Sequence, residues 1–237
     1  MPAKAIVFDC YRTLFTNSNE DWKQSFSNII EDQQLSIETD DLWGKWKRYE
    51  NKFRLKRTSL ENPKLTPPFR SYKEAWAECF EKVFYDEGIK GDAQKAGEHC
   101  VIHLASRPIF EDAIPALQSL AGIVQLGVFS NADEASLLPI IDRLDVSFDA
   151  ISCSESARIY KPAQGAFEHI LRLLNVSAEC SWYVGDHLYD DVLGANSVGM
   201  TTVWINRTRS KVKKCDVVPD IEITDLRELG ELVHKRS

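Results

Sequence analysis

Three polar residues stand where apolar runs of the chain stop. Asp9 follows the run Ala5-Ile6-Val7-Phe8, and Ser130 follows the predicted strand 125–129. Asp186 comes soon after a third predicted strand, 181–184. Such runs, rich in β-branched and aromatic residues, predict buried strands of a parallel sheet. Ligands bind at the carboxyl ends of these strands, where a carboxylate can attack phosphorus or an activated carbon and then pass the group to water. We therefore predict that Asp9 is a nucleophile, although a lone Asp after a strand more often starts a turn.

The segment after Asp186 adds two more carboxylates, Asp190 and Asp191, at the predicted start of a helix. Up to three carboxylates could then face Asp9, and they would repel one another and an anionic substrate. Mg²⁺ prefers oxygen ligands and is the natural neutralising ion. For Asp190 we favour a simpler role, in which its charge complements the positive end of the helix dipole.

Apolar periodicity divides the chain into two kinds of structure. After the first strand, apolar residues recur at spacings of three and four through several predicted helices. Strands and helices alternate only afterwards, which predicts a doubly wound parallel sheet with right-handed crossovers. The predicted helices of the insert cover residues 22–30, 41–53, 72–84 and 93–104. The later elements are helices over 113–120, 134–144, 166–174 and 191–198, and strands over 125–129, 150–152, 181–184 and 202–205.

Length and composition are those of an ordinary globular protein. The 237 residues suffice for one good-sized core and a smaller second module, and 43% of them are hydrophobic. A net charge of -7 argues against nucleic acid or an anionic membrane as the main partner. The apolar run at the amino terminus is too short for a signal peptide, and no stretch is long enough for a membrane span. The six cysteines show no close pairing, which favours reduced thiols in the cytoplasm.

Four motifs in this order resemble those of the haloacid dehalogenase superfamily. They are Phe8-Asp9-Cys10-Tyr11-Arg12-Thr13-Leu14, then Val128-Phe129-Ser130-Asn131, then Tyr160-Lys161-Pro162, and finally Val184-Gly185-Asp186 with Asp190-Asp191 and Gly194-Ala195. The resemblance extends over the whole chain. It implies an α/β fold, with a Rossmann-like, doubly wound parallel sheet core formed by residues 1–15 and 107–237. An all-helical cap domain would be inserted over residues 16–106.

The resemblance also implies roles for individual residues. Asp9 would form the covalent intermediate, Thr13 and Ser130 would donate hydroxyl hydrogen bonds, and Lys161 would offset the negative charge. In the phosphatase branch, the residues that would hold Mg²⁺ are Asp9, Tyr11 through its backbone carbonyl, Asp186, and Asp191 as an outer ligand. The residues expected to contact a small anionic substrate are Tyr11, Arg12 and Asn131.

The first motif departs from the phosphatase pattern at two positions. Phosphatases commonly have an acid at the position of Tyr11, and both branches commonly have Gly at the position of Arg12. Asp-x-Tyr is instead typical of the 2-haloacid dehalogenases, whose halide leaves without a proton, and Trp204-Ile205-Asn206-Arg207 also resembles that branch. The dehalogenases, however, use no metal, and the Arg that binds their halide corresponds to Gly44 here.

Three functions therefore stay open. We favour Mg²⁺-dependent hydrolysis of a small phosphate ester or related phosphorus compound through an intermediate on Asp9. The first alternative is hydrolysis of a 2-haloacid, and the second is a non-catalytic protein that binds a metabolite or a protein partner. The presence of the complete motif set argues against the second alternative. We expect a cytoplasmic monomer or homodimer with neither nucleic acid nor membrane as a partner.

Overall fold

The computed structural model describes residues 3–62, 65–210 and 217–236 and divides the chain into two compact units. The first unit contains the residues up to Thr16, Pro108–Asn131 and the residues from Ile141 onward. The second unit contains Asn17–Arg107 and Ala132–Ile140. We call them the sheet unit and the helical unit.

Six strands form one parallel sheet in the sheet unit. In chain order they are β1 (Ala5–Phe8), β2 (Gln125–Ser130), β3 (Ala150–Cys153), β4 (Ser181–Gly185), β5 (Thr201–Ile205) and β6 (Ile221–Ile223). Their order across the sheet is β3-β2-β1-β4-β5-β6, and every neighbouring pair is parallel. Strand β1 is fully buried between β2 and β4. The predicted α/β fold with a doubly wound parallel sheet is therefore confirmed, and the carboxyl ends of β1, β2 and β4 meet at one edge.

Most of the helices follow the predicted periodicity. The helices are α1 (Asn19–Gln33), α2 (Thr39–Lys56), α3 (Tyr72–Glu87), α4 (Ala93–His103), α5 (Ala113–Leu120), α6 (Glu134–Asp142), α7 (Ser154–Ala157), α8 (Gln164–Leu174), α9 (Gly194–Asn196) and α10 (Glu228–Arg236). The short α7 and the last helix, α10, were not predicted. Helix α8 shows why the pattern works, because its residues Ala166, Phe167, Ile170 and Leu174 form one apolar face that packs in the core of the sheet unit.

An aromatic cluster forms the core of the helical unit. Trp46 and Trp76 are almost completely buried, and the ring of Trp22 packs against both of them. Such rings bury large apolar areas and gain further from tilted or edge-on contacts. These tryptophans therefore serve as core residues of the helical unit.

The boundaries of the helical unit include a segment that the sequence-based division into 16–106 did not contain. Residues Ala132–Ile140 belong to this unit although they follow strand β2. The Asp133 carboxylate accepts hydrogen bonds from the backbone N–H groups of Tyr72 and Lys73, at 2.8 and 2.7 Å, at the start of α3. A carboxylate at a helix N-terminus satisfies two otherwise unpaired donors, so this segment is tied to α3.

Two elements near the end of the chain have no counterpart in the predicted pattern. Strand β6 has only three residues, too few for a recognisable alternation, and α10 follows it. The helix predicted to begin at Asp191 begins instead at Leu188, with a π-helical turn over Leu188–Leu193. In that turn the His187 carbonyl accepts from the N–H groups of both Asp191 and Val192, so the turn is wider than an α-helical one.

Two further observations concern membrane-spanning helices and the cysteines. Among the described residues, no helix combines the length and the apolar character needed to cross a membrane. Cys10, Cys79, Cys100 and Cys153 are buried free thiols and Cys180 is a partly exposed one. Cys215 lies outside the described residues.

Candidate active site

Asp9 lies at the carboxyl end of β1, where the backbone holds it firmly. Its N–H donates to the Val184 carbonyl of β4 at 2.9 Å, so the residue still belongs to the sheet ladder. The chain then turns back, because the N–H groups of Leu14 and Phe15 both donate to the Cys10 carbonyl. Only 7% of Asp9 is exposed. The carboxylate predicted to be the nucleophile is therefore fixed in place and mostly removed from water.

Lys161 lies between two carboxylates of this edge. Its Nζ is 2.6 Å from Asp9 Oδ1 and 2.6 Å from Asp191 Oδ1, and it donates to the Tyr183 hydroxyl at 2.7 Å. The Tyr183 hydroxyl donates in turn to the Phe129 carbonyl at 2.7 Å. These contacts use all three ammonium donors of a side chain that is almost completely buried. The structure thus places Lys161 where the sequence predicted a fixed cation.

The two motif residues at the end of β2 have different tasks. The Ser130 hydroxyl donates to Asp9 Oδ1 at 3.1 Å, as predicted for a hydroxyl beside the nucleophile. The Asn131 amide forms a reciprocal pair with the backbone of Lys161, donating to its carbonyl at 3.1 Å and accepting its N–H at 2.8 Å. Asn131 therefore holds the segment that carries the lysine, and its predicted contact with the substrate stays a prediction.

Three carboxylates come together beside Lys161. Asp9, Asp186 and Asp191 each offer an oxygen within 4.8 Å of the others. Asp191 is buried, and its Oδ2 accepts the His187 N–H at 2.9 Å. Gly185 makes this packing possible, since a Cβ at that position would lie only 2.3 Å from Asp191 Oδ2. We call these three residues the acidic cluster, and they are three of the four predicted metal ligands.

The acidic cluster carries more negative than positive charge. The described cations in contact with it are Lys161 and Arg12, whose Nε lies 3.4 Å from Asp186 Oδ2. Burial, reinforced by the charges of Asp191 and Asp9, raises the pKa of Asp186 to about 8. Burial likewise raises the pKa of Asp191, although the Lys161 ammonium opposes the effect. A divalent cation would offset the repulsion among the three carboxylates, which otherwise favours the protonated form of Asp186 and Asp191.

The turn after Asp9 contains the other predicted site residues. Arg12 has a φ of 68°, in the left-handed region that glycine adopts most easily, and its side chain is 64% exposed. Thr13 is completely buried, and its Oγ1 has no hydrogen-bond partner among the described residues. Burying a hydroxyl without a hydrogen-bond partner destabilises the folded protein by about 1–3 kcal/mol. We therefore expect the Thr13 hydroxyl to donate to an oxygen of the ligand. Tyr11 is nearly buried, and the use of its carbonyl for a metal stays a prediction.

Cys10 is adjacent to Asp9 but is not a competing nucleophile. Burial and the charge of Asp9 raise the pKa of its thiol well above the usual range, although Lys161 opposes the shift. Since the thiolate is the reactive form of cysteine, this buried thiol is inert.

A family model shows which family this protein belongs to. The model of the haloacid dehalogenase-like hydrolases matches residues 3–199, a stretch that contains all four motifs and the acidic cluster. The chain belongs to this family. The resemblance found in the sequence is thereby confirmed, and the protein is a hydrolase of the haloacid dehalogenase superfamily.

Relatives of this hydrolase include phosphatases and dehalogenases. Over 132 residues it is 33% identical to a glyceraldehyde 3-phosphate phosphatase of Methanopyrus kandleri, a match that covers 53% of this chain and 57% of the phosphatase. It is 22% identical to an (S)-2-haloacid dehalogenase of Pseudomonas sp. strain YL over 97% of this chain and 94% of the dehalogenase. The solved, magnesium-bound HAD-hydrolase YfnB of Bacillus subtilis has a TM-score of 0.76 at 18% identity, covering 98% and 99% of the two chains. Solved L-2-haloacid dehalogenases share the fold as well, so the fold alone does not distinguish a dehalogenase from a magnesium-bound hydrolase of this family.

Sequence reasoning missed several residues that support the site of this hydrolase. The Tyr183 hydroxyl orients Lys161, and His187 accepts the Asp190 N–H on its Nδ1 at 2.9 Å. The indole of Trp204 donates to the Asp186 carbonyl at 2.9 Å. A signal existed for Tyr183 and Trp204, because a hydroxyl or an indole N–H within a buried strand needs a hydrogen-bond partner. The sequence could not say which partner, since each is distant along the chain.

The raised pKa of Asp186 predicts how the stability of this hydrolase depends on pH. The folded protein holds the Asp186 proton up to a pH of about 8, whereas the unfolded chain releases it near 4. The stabilisation is therefore complete below pH 4 and is lost as the pH rises toward 8. We expect the melting temperature in chelator to fall between pH 5 and pH 8.5. Asp186 alone would lower the free energy of unfolding by at most about 1.4 kcal/mol per pH unit, and Asp191, whose pKa is also raised, would add to the fall.

Calorimetry of the wild type and of Asp186→Asn, both in chelator, checks this pH dependence. The variant lacks the titrating carboxyl and should show a flatter profile over the same range. Equal slopes for the two proteins would contradict the assignment of the shift to Asp186. Added Mg²⁺ should stabilise the wild type most at the alkaline end, where the carboxylates are ionised.

Proposed function

We propose that this hydrolase cleaves a small phosphate ester, or a related phosphorus compound, with the help of Mg²⁺ and through a covalent intermediate on Asp9. The observation that carries the proposal is the acidic cluster. The described bonds of the buried Lys161 go to Asp9 and Asp191, whereas Asp186 is paired with Arg12, whose side chain is 64% exposed. A divalent cation at Asp186 would therefore need to displace only an exposed arginine and not the buried lysine. Loss of a halide from carbon does not need such a carboxylate.

The residues present fit Mg²⁺ by the chemistry of their donors. Three carboxylates with oxygens within 4.8 Å of one another supply the hard ligands that this ion prefers. Asp9, Asp186 and the Tyr11 carbonyl would hold the ion directly. Asp191, which is already bonded to Lys161 and to the His187 N–H, would act as an outer ligand. When bound, Mg²⁺ would neutralise charge on the phosphoryl oxygens, and the magnesium bound to the related YfnB supports this choice.

Asp9 would attack through one particular oxygen. Ser130 and Lys161 both donate to Oδ1, so Oδ2 keeps its lone pairs. Attack by Oδ2 would form a bond to phosphorus while the bond to the leaving oxygen breaks, and the leaving group would take its proton from solvent water and depart as the alcohol. Water would then attack the phosphorus of the acyl phosphate, release phosphate and restore the Asp9 carboxylate.

Lys161 and Thr13 would stabilise charge without donating a proton to the leaving group. Burial lowers the pKa of Lys161, but the charges of Asp191 and Asp9 together raise it well above its usual range. The ammonium therefore stays protonated throughout the reaction. The buried hydroxyl of Thr13 would donate to an oxygen of the transferred group, which would satisfy a polar atom that has no other described partner.

Hydrolysis of a 2-haloacid remains the alternative function, because two observations favour it. The alignment with the (S)-2-haloacid dehalogenase spans nearly the whole of both chains. Tyr11 occupies a position where a leaving alcohol would otherwise receive its proton, and a halide needs none. In this reaction Asp9 would displace the halide from carbon, and water would hydrolyse the resulting ester.

Replacement of Asp186 tests the proposed function against this alternative. With a generic aryl phosphate as substrate, we expect Asp186→Asn to lower kcat/KM by roughly 10²–10³ and to weaken the response to Mg²⁺. Asp190→Asn is the matched control, since it removes a neighbouring carboxylate outside the acidic cluster, and it should change the rate by less than about threefold. A wild type that releases halide, resists chelator and tolerates Asp186→Asn would favour the dehalogenase.

Substitution of Tyr11 tests the role of the missing acid. We expect Tyr11→Asp to accelerate hydrolysis of alkyl phosphates by roughly 10-fold or more, because a positioned acid can protonate a poor leaving group. The rate with aryl phosphates should rise much less, because their acidic leaving groups depart without needing a proton. Tyr11→Phe is the control for loss of the phenol. An equal effect on both substrate classes, or a lower rate on alkyl phosphates, would count against this explanation.

The proposed substrate is small and anionic, and the proposed surroundings are cytoplasmic. The excess of acidic residues in the chain supports the absence of nucleic acid and of an anionic membrane as partners. Buried free thiols support a reducing compartment. We propose a monomer or homodimer, and size-exclusion chromatography with light scattering measures which of the two forms.

A further inference from the structure

Trp204, near the carboxyl end of β5, is bonded to the loop that carries Asp186. It pairs in register with Gly185 of β4, and its indole Nε1 donates to the Asp186 carbonyl at 2.9 Å. The indole is nearly buried, with 5% of the residue exposed. Since a buried N–H needs a partner, this bond fixes both the ring and the carbonyl. The bond from Trp204 therefore restrains the backbone of Asp186, and this backbone positions the Asp186 carboxylate.

Arg207, three residues later, is bonded to the other loop of the site. Its NH2 donates to the Thr13 carbonyl at 2.7 Å. The guanidinium is itself immobilised, because it donates to both oxygens of Asp112, at 2.8 and 3.0 Å, and stacks 3.8 Å from the centre of the Phe110 ring. Paired donors to a carboxylate and a flat stack leave the guanidinium little freedom. The backbone at Thr13 is therefore fixed by a rigid group.

A purely structural role would explain part of this arrangement. Asp112 also accepts the Leu226 N–H at 2.8 Å, so Arg207 and Asp112 together hold the segment before α10. That role requires no contact with Thr13 and none between Trp204 and Asp186. The two bonds of interest end instead on the carbonyls of residues whose side chains have separate tasks in the proposed reaction.

We propose that Trp204 and Arg207 are positioning residues with divided tasks. Trp204 orients Asp186 as a ligand for Mg²⁺, and Arg207 orients the Thr13 hydroxyl toward the transferred group. The inference rests on the proposed function, and it assigns a role to the sequence Trp204-Ile205-Asn206-Arg207, which the motif residues leave unexplained. It follows that Trp204 controls metal affinity, whereas Arg207 controls the rate at saturating metal.

Removal of the indole N–H tests the first task. Trp204→Phe keeps an aromatic ring in the core but removes the donor to Asp186. We expect the Mg²⁺ concentration that gives half of the maximal thermal stabilisation to rise about fivefold or more, with little change in kcat at saturating Mg²⁺. Trp46→Phe is the matched control, because Trp46 is also a buried indole that donates to a backbone carbonyl, that of Trp76 in the helical unit. That control should lose stability without any shift in the Mg²⁺ midpoint.

Substitution of Arg207 tests the second task. We expect Arg207→Lys, assayed as folded protein at saturating Mg²⁺, to lower kcat about 10-fold without moving the Mg²⁺ midpoint. Asp112→Asn, which weakens the anchor of Arg207 and keeps the contact with Thr13, should give a smaller fall in kcat and serves as the second variant if the lysine protein does not fold. An unchanged kcat in the folded variants would overturn the role of Arg207.

The outcomes separate this inference from the proposed function. If the wild type binds Mg²⁺ and Trp204→Phe binds it equally well, the role of Trp204 is overturned while the proposed function stands. If the wild type gains no stability from Mg²⁺ and hydrolyses phosphate esters neither with nor without it, the proposed function fails and the role of Trp204 fails with it.

Discussion

Replacement of Asp9 by Asn is expected to lower kcat by a factor on the order of 10⁴ or more and to leave the protein folded. The amide cannot form the covalent intermediate, whereas its shape preserves the hydrogen bonds from Ser130 and Lys161. The free energy of unfolding should not fall, because the substitution removes one negative charge from the acidic cluster, which has an excess of negative charge. Steady-state rates and circular dichroism measure the two effects.

Intact-mass spectrometry extends this experiment to the intermediate. Wild-type protein quenched during turnover of an aryl phosphate should carry an added phosphoryl group, and Asp9→Asn should carry none. Cys10→Ser is the matched control, since it changes the adjacent buried thiol and should retain both the adduct and most of the activity. Turnover by Asp9→Asn, or an adduct on another residue, would contradict the assignment of the nucleophile.

Replacement of Lys161 by Met is expected to impair both folding stability and catalysis. The methionine fills a similar volume but leaves Asp9 and Asp191 without their shared buried cation. Removal of one partner from a buried ion pair costs about 3–5 kcal/mol, which corresponds to roughly 10 °C in melting temperature for a chain of this size. Turnover should fall by roughly 10³, because the charge that stabilises the transferred group is lost.

A second substitution separates the electrostatic explanation for Lys161 from a packing one. In Lys161→Met with Asp191→Asn, one of the stranded carboxylates is neutralised, so part of the lost stability should return. Chemical denaturation of the wild type, both single variants and the double variant gives the coupling free energy. Simple additivity of the two losses would show that the ion pair is not the source of the stability. Activity should not return, since the cation is still missing.

The sequence predicted the parts of the site that depend on single strands. Asp9 and Ser130 end apolar runs, and adjacent parallel strands necessarily bring their carboxyl ends to one edge. The fold class and the helical insert followed from the same periodicity. Asp186 and Asp191 could be placed near Asp9 because the fourth strand ends just before them. In each of these cases, local pattern and sheet geometry sufficed.

The parts that were missed depend on contacts between segments distant in the chain. Tyr183 looks like an ordinary strand residue, and only the position of Lys161 makes its hydroxyl part of the site. The sequence did not indicate that the Asn131 amide is bonded to the Lys161 backbone, and its predicted contact with the substrate stays a prediction. Asp133 joins the helical unit because it accepts the N–H groups at the start of α3. No periodicity of apolar residues encodes such polar pairings.

The central claim is tested most directly by measuring product release in parallel, with Mg²⁺ and with chelator. A generic aryl phosphate and a panel of small phosphate esters would be assayed for phosphate, and 2-chloropropionate would be assayed for chloride. We predict phosphate release that requires Mg²⁺, no chloride release, and loss of activity in Asp9→Asn. Chloride release that is indifferent to chelator, with no phosphate from any ester, would contradict the proposed function and establish the dehalogenase alternative.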